Sequence, residues 1–176
     1  MSQDFPLVEL SSLGPEYARD GREVTLRPAT MDDAEAMFQW QTDDRTRRYA
    51  RNPAKPTWDE HVNWLQRYLA NPNGHLCIIL HNGEASGILR LDREGDCLYE
   101  VTVITSPKKY RHGVAVPALN LARKWFANAT LVAEVLPGNE ASRRMLVEAG
   151  YREVSDGHYA IDPLRTGPAT AGTIQS

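Results

Sequence analysis

A short turn between an apolar strand and a helix is the stretch of this chain best suited to chemistry. The β-branched run that starts at Val101 ends before Pro107, and residues 110–115 read Tyr-Arg-His-Gly-Val-Ala. Apolar residues then recur at nearly helical spacing up to Phe126. A glycine lets a ligand approach the backbone amides, and a helix N-terminus attracts phosphate. The turn therefore predicts an anion site, although a plain strand-to-helix connection would read the same way.

A second motif follows the strand predicted over residues 131–136. It has a polar cap, a small residue three positions on, and a glycine and an aromatic at eleven and twelve: Asn139, Ser142, Gly150 and Tyr151. With the turn at 110–115 before it, the chain resembles the Gcn5-related N-acetyltransferases, the GNAT superfamily, over about residues 23–162. The loop of that family begins with Gln or Arg, whereas this chain has Tyr110 there.

The resemblance implies that the protein binds acetyl-coenzyme A and moves the acetyl group to an amine without a covalent enzyme intermediate. The pyrophosphate would be held by the loop amides, those of Arg111, His112, Gly113, Val114 and Ala115. The pantetheine arm would add beside the strand at Val103 and Thr105, and the backbone near Ile104 would polarise the thioester carbonyl. Asn139 would contact the pantetheine as well, with a plain helix cap as the alternative interpretation.

Glu100 is the candidate general base. It lies thirteen residues before Gly113, where members of the family often carry a strand glutamate that faces the acceptor. Its neighbours Tyr99 and Val101 would shield it partly from water, and it would take the proton of the amine through a water molecule. The alternative is a glutamate on the surface of an edge strand.

The usual general acid of the family is missing at the expected place. The family tyrosine, seven residues after the Asn, corresponds here to Leu146, which cannot transfer a proton. Water or another group would have to protonate the leaving thiolate, and Tyr110 is one candidate. The same departure keeps open a different class of function, a non-catalytic acyl-coenzyme A sensor. Glu100 and the complete loop argue against that class.

The acceptor is predicted from the segment that follows the first helix. It resembles a GNAT subgroup that acetylates nucleotide-linked amino sugars, through four matching residues: Arg47, Asn52, His61 and Trp64. Gln41 and Thr42 depart from the Arg-Asn pair of that subgroup. Arginine can pair with a diphosphate, and an aromatic ring can stack on a base or sugar. The alternatives are a structural role for His61 and a solvated surface for the arginines of 45–51.

Two other acceptors fit the same motifs. Asn139 with Ser142 also resembles the enzymes that acetylate the N-termini of ribosomal proteins. Acetylation of an antibiotic or a polyamine would be expected to need an acidic acceptor cleft. The arginine cluster and the helix from Trp58 to Trp64 favour the sugar nucleotide.

Composition limits the remaining classes. The 176 residues are 41% hydrophobic and 24% charged with a formal net charge of −3, which is ordinary for one soluble domain. No basic run indicates a nucleic-acid partner, and no apolar run or signal pattern indicates a membrane. Cys77 and Cys97 have strand-like apolar neighbours, so we expect core packing rather than a disulfide or a metal site. We therefore expect a cytoplasmic enzyme with a small-molecule amine substrate, and a homodimer stays open.

The order of elements predicts a mixed α/β domain. Residues 24–28 alternate as a strand, two helices follow, and Asn82-Gly83 joins the strands of a hairpin. A further strand leads to the loop, and helix, strand, helix and a closing strand pair come after it. The expected fold is one GNAT-like domain over 23–162, with helices flanking a mostly antiparallel sheet that has a splayed central strand. Residues 1–22 would be an extension with one extra strand, and residues 163–176 a disordered tail.

Overall fold

An eight-stranded sheet carries the domain in the computed structural model, which describes residues 8–164. The strands, in chain order, are β1 Glu16–Tyr17, β2 Glu23–Pro28, β3 Gly74–His81, β4 Glu84–Gly95, β5 Leu98–Thr105, β6 Thr130–Glu134, β7 Arg152–Ser155 and β8 His158–Ile161. Their spatial order is β1-β2-β3-β4-β5-β6-β8-β7. Neighbouring strands are antiparallel except for β5 and β6, which run parallel. The predicted mixed α/β fold with a mostly antiparallel sheet is confirmed.

Helices pack on both faces of this sheet. They are α1 Ala34–Thr42, α2 Asp44–Arg47, α3 Trp58–Leu69, α4 Ala115–Trp125 and α5 Glu140–Glu148. Polar side chains begin them at the expected places, since a capping box of Thr57 and Glu60 starts α3, and one of Thr30 and Asp33 starts the 3-10 turn before α1. No helix within residues 8–164 is long and apolar enough to cross a membrane.

The two faces of the sheet carry separate apolar clusters because side chains alternate along each strand. On one face, Cys77, Ile79 and Leu89 pack with α4 and α5. On the other face, Ile78 and Ile88 pack with α1 and α3. Strands β3 and β4 are thus covered on both sides, and they form a rigid support for β5 beside them.

The N-terminal extension contributes a short strand, Glu16–Tyr17, whose position the sequence did not predict. This strand pairs antiparallel with β2 at the edge of the sheet. A 3-10 turn at Leu10–Ser12 precedes it. The predicted disordered tail lies outside the described residues from position 165 onward, so it stays a prediction.

The end of β5 is held close to β4 by a glycine. Gly87 pairs with Thr105, and a Cβ atom at Gly87 would lie 2.5 Å from the carbonyl oxygen of Ile104. Only a residue without a side chain permits this approach of the two backbones. Gly87 therefore sets the position of the strand segment that leads into the loop at residues 106–114.

We expect Gly87→Ala to destabilise the fold by about 1–3 kcal/mol, because the added methyl group meets backbone rather than a movable side chain. Gly14→Ala is the matched control, since a Cβ there would have nothing within 4 Å. Urea unfolding of both variants checks the prediction. Equal stability of the two variants would contradict it.

Candidate active site

Strands β5 and β6 separate at the position of Glu100. Their parallel pairing joins residues 98–100 to residues 130–132 and ends there. Beyond this point, β5 continues to Thr105 with β4 as its partner, and β6 continues to Glu134 with β8 as its partner. The predicted splayed strand is therefore present. The gap between the two strands exposes one edge of β5 to whatever enters it.

The loop at the open end of this gap leads into the N-terminus of α4, and within it the His112 N–H donates to the carbonyl oxygen of Lys109 at 3.2 Å. Arg111 and Gly113 have φ values of +68° and +72°, so the chain turns sharply before α4 begins at Ala115. The N-cap residue of α4 is Val114, and its apolar side chain makes no hydrogen bond to the first amides of the helix. Uncapped amides at a helix N-terminus carry partial positive charge and bind anions. The predicted anion site thus lies at a helix N-terminus without a side-chain cap, and phosphate binding there stays a prediction.

Gly113 also makes room for the N-terminal extension. A Cβ atom at this position would lie 2.7 Å from Cγ of Arg19. The guanidinium of Arg19 continues past the loop and binds the Glu148 carboxylate on α5 at 2.7 Å. The extension therefore covers one side of the loop and links it to α5.

Tyr110 connects the same loop to α2. Its hydroxyl lies 3.3 Å from Oγ1 of Thr46, and the Arg45 guanidinium stacks over its ring at 4.6 Å from the ring centre. Tyr110 stands where the family usually has Gln or Arg, and it joins this loop to α2. Its suggested role as the general acid stays a prediction.

Two glutamates face each other across the gap with an arginine between them. The Glu100 side chain on β5 is 16% exposed, and the Glu134 side chain on β6 is 29% exposed. Arg51, from the segment between α2 and α3, donates hydrogen bonds through its Nη atoms to Glu100 and through Nε to Glu134. The hydrogen bond with Glu100, supported by that with Glu134, raises the pKa of Arg51. The guanidinium is therefore a permanent cation at the point where the strands separate.

Arg47 and Asn52, two of the residues predicted to bind the acceptor, shape the segment after α2. Arg47 Nη1 donates to the carbonyl oxygens of Asn52 and Ala54, at 3.0 and 2.9 Å. The Asn52 Oδ1 atom accepts from the backbone N–H of Ala54 at 3.0 Å. These contacts hold the segment that carries Arg51. Acceptor binding by the two side chains stays a prediction.

His61 and Trp64, the other two predicted acceptor residues, lie in the contact between α1 and α3. His61 is 2% exposed, and its Nε2 lies 2.8 Å from the Ala34 carbonyl oxygen, which requires the ring to donate there. The Trp64 ring stacks on the His61 ring with centres 5.9 Å apart. These contacts agree with the alternative of a structural role for His61. Acceptor binding by His61 and Trp64 stays a prediction.

The remaining predicted site residues lie where the motifs place them. Val103, Ile104 and Thr105 are half-buried on the part of β5 that borders the gap. Asn139 caps α5 through a hydrogen bond from the Ser142 N–H at 3.2 Å. Leu146 is 2% exposed in the core, so this position offers no titratable group to the gap.

Sequence reasoning missed Glu134 and the role of Arg51. A signal for Glu134 was present, since Glu100 and Glu134 each interrupt an otherwise apolar strand, between Tyr99 and Val101 and between Ala133 and Val135. A charge inside an apolar strand is usually paired or functional. Arg51 had no comparable signal, because it is one of four arginines in a polar loop.

The comparisons with known proteins agree with this geometry. The family model described as the acetyltransferase (GNAT) domain matches residues 23–152, so the chain belongs to the GNAT family.

Among residues 8–164, no cluster of His, Cys, Asp or Glu could hold a metal ion, and Cys77 and Cys97 are free thiols. No curated protein sequence matches the chain.

Three solved structures illustrate the likeness of fold. RimJ of Mycobacterium smegmatis in complex with a coenzyme A disulfide has a TM-score of 0.69 and 22% identity, over 84% of this chain and 85% of that one. The aminoglycoside acetyltransferase AAC(6')-Ib, in complex with paromomycin and acetyl-coenzyme A, has a TM-score of 0.69 and 17% identity, over 80% and 93%. RimL, an α-N-protein acetyltransferase of ribosomal L7/L12 in complex with coenzyme A, has a TM-score of 0.68 and 14% identity, over 80% of this chain and 94% of that one.

Two histidines shielded from water, His61 between α1 and α3 and the half-buried His75 on β3, predict a dependence of stability on pH. Burial lowers the pKa of His61, against a smaller opposing effect of its hydrogen bond to Ala34, and burial also lowers the pKa of His75. Below the ordinary histidine pKa of about 6.5 the unfolded chain therefore binds more protons than the folded one. Stability should fall as the pH drops from 7.5 to 5.5, above the range in which carboxylates protonate.

Thermal unfolding at the two pH values measures this effect. His75→Phe should reduce the loss of stability, because the ring at this position packs against Trp125 and Phe126. His158→Gln, at an exposed position, is the matched control and should leave the loss unchanged. An equal loss in wild type and His75→Phe would show that His75 does not contribute.

Proposed function

We propose that the protein is an N-acetyltransferase that moves acetyl from acetyl-coenzyme A to a primary amine by direct attack. The observation that carries the proposal is the gap between β5 and β6. It has uncapped helix amides at its open end and the Glu100 carboxylate where the strands separate. Membership of the GNAT family supports this function, as do related folds that bind coenzyme A.

The residues around the gap fit coenzyme A. The amides of Arg111, Gly113, Val114 and Ala115 would hold the pyrophosphate, because they lie at the start of an uncapped helix. The predicted contribution of the His112 N–H is not available, because this group donates to the carbonyl oxygen of Lys109. The backbone of Val103 and Thr105, without a strand partner on the β6 side among the described residues, would bind the pantetheine arm as an added strand. Asn139 would lie beside the same arm. When bound, acetyl-coenzyme A supplies the acetyl group as an activated thioester.

Glu100 would carry the proton transfer. Its carboxylate is largely shielded at the closed end of the gap, and it can accept the proton that the amine loses when it attacks. The backbone near Ile104 would polarise the thioester carbonyl through an N–H donor. Both groups lie on β5. The Glu100 carboxylate would act as the base, and the backbone N–H would stabilise the charge on the thioester oxygen.

Glu100→Gln should lower kcat by about 10²–10⁴-fold and leave coenzyme A affinity unchanged, because the amide keeps the shape but cannot accept the proton. Thiol release measures turnover, and calorimetry measures coenzyme A binding. Glu94→Gln, at an exposed position in β4 near the β4–β5 turn, is the matched control. Full turnover by Glu100→Gln would exclude Glu100 as the base.

The acceptor is selected, in our proposal, by the segment from α2 to the start of α3. This segment follows the whole gap, since Thr46 contacts Tyr110 at the loop and Arg51 contacts Glu100 at the closed end. The resemblance to the amino-sugar subgroup makes a nucleotide-linked amino sugar the first candidate. Arg47, Asn52, His61 and Trp64 would then contribute by holding the segment or by contacts that form when the sugar nucleotide binds.

A cationic amine such as an aminoglycoside or a polyamine is the second candidate. The observation that favours it is the pair of carboxylates, Glu100 and Glu134, at the closed end of the gap. An acidic cleft suits an acceptor with several positive charges. Acetylation of a protein N-terminus, the third class, is compatible with the same gap and is the reaction of RimL, an α-N-protein acetyltransferase with a similar fold.

A panel of amines distinguishes these acceptors. Thiol release from acetyl-coenzyme A would be measured with UDP-linked 4-amino sugars, N-terminal peptides, aminoglycosides and polyamines. We expect turnover to be confined to one class, because one segment lines the whole gap. If coenzyme A binds but no amine is acetylated, the acyl-coenzyme A sensor replaces the enzyme as the better interpretation.

A further inference from the structure

The position between Glu100 and Glu134 is occupied by a cation of the protein itself. The two carboxylates come from diverging strands, and the Arg51 guanidinium binds both from the solvent side. The Arg51 side chain is 59% exposed, whereas those of Glu100 and Glu134 are 16% and 29% exposed. The acids thus form the inner wall of the position, and the arginine enters it from a surface segment.

This occupancy conflicts with the proposed role of Glu100. A primary amine is an ammonium ion near neutral pH, and its proton must reach the Glu100 carboxylate before attack. While Arg51 is seated, its Nη atoms bind the oxygens that must accept this proton. A guanidinium cannot act as the acceptor amine or as a base. Arg51 must therefore leave Glu100 before the reaction can begin.

The charges left behind match an ammonium ion. Removal of the guanidinium leaves two carboxylates that converge on one position. The two carboxylates are mostly shielded, so departure of Arg51 from its exposed segment is favourable only when another cation takes its place between them. Glu134 would then hold the ammonium ion in place until Glu100 takes a proton from it, which leaves the neutral amine and the Glu100 carboxylic acid.

We propose that Glu100 and Glu134 form the ammonium subsite of the acceptor, and that Arg51 occupies this subsite until the acceptor displaces it. The inference rests on the proposed function and adds two residues that determine specificity. Glu134 selects acceptors that bind as cations. Arg51 competes with them and sets the apparent affinity.

The test uses Arg51→Met, which keeps the aliphatic part of the side chain and removes the competing charge. The KM of the amine found in the panel should fall by about tenfold with kcat retained, as expected when an occluded state of about 90% is removed. Ethylguanidinium chloride is the direct probe. Calorimetry should show that it binds Arg51→Met about tenfold more tightly than wild type.

Two further variants complete the test. Glu134→Gln should raise the KM more than it lowers kcat, and in the Arg51→Met background it should abolish ethylguanidinium binding. Arg152→Met is the matched control, because Arg152 is a similarly exposed arginine paired with Asp162, away from the gap. It should leave KM and ethylguanidinium binding as in wild type.

The opposite pattern would overturn the inference. If Arg51 merely holds Glu100 in place, Arg51→Met should lower kcat, leave KM unchanged or raised, and bind no ethylguanidinium. This failure differs from a failure of the proposed function. Binding of ethylguanidinium without acetylation of any amine would support the cation subsite and exclude the proposed acetyltransferase function. Amine turnover without such binding would support the acetyltransferase function and exclude the cation subsite.

Discussion

The separation of β5 from β6 is the constraint on which the rest of the site depends. Each strand keeps one partner, β4 or β8, and beyond Glu100 neither offers hydrogen bonds to the other. A buried backbone group without a partner costs about 1–3 kcal/mol, so an edge of this kind is retained where a ligand can satisfy it. Gly87 draws the end of β5 against β4 and so keeps it from turning toward β6. The gap therefore results from how the backbones of β5 and β6 pair, and this pairing determines where the surrounding side chains lie.

The loop after β5 is fixed from two sides by contacts that are distant in sequence. Arg19 packs on Gly113 and binds Glu148, while Tyr110 contacts Thr46 on α2. Arg111 adopts a positive φ that a non-glycine residue rarely takes, and such a conformation persists where the surroundings determine it. A cofactor phosphate at this loop would meet amides that are already arranged. The contact of Tyr110 with α2 also places this loop beside the segment that we propose to select the acceptor.

Features that depend on local chemistry could be predicted from the sequence, and features that depend on distant pairing could not. The hairpin turn at Asn82-Gly83 and the capping box of Thr57 follow from neighbouring residues, and the structure confirms both. The order of elements along the chain followed from local patterns, and the splayed β5 followed from the family resemblance. The triad of Arg51, Glu100 and Glu134 joins residues 49 and 83 positions apart, and no spacing pattern reports such a contact. His61 shows the same limit, because its burial against Ala34 depends on how α3 packs on α1.

The core position of Leu146 explains how the chain departs from its family without losing the fold. The side chain is 2% exposed among apolar neighbours, so leucine strengthens the packing of α5 where a tyrosine would need a partner for its hydroxyl. Proton supply to the leaving group would then fall to solvent at the open side of the gap. A thiolate with a pKa of about 8.5 is a stable leaving group near neutral pH, so this loss is small compared with loss of the base. With Glu100 as the proposed base, the chemistry would depend on the end of the gap where Glu100 lies, and the same end carries Glu134 and Arg51.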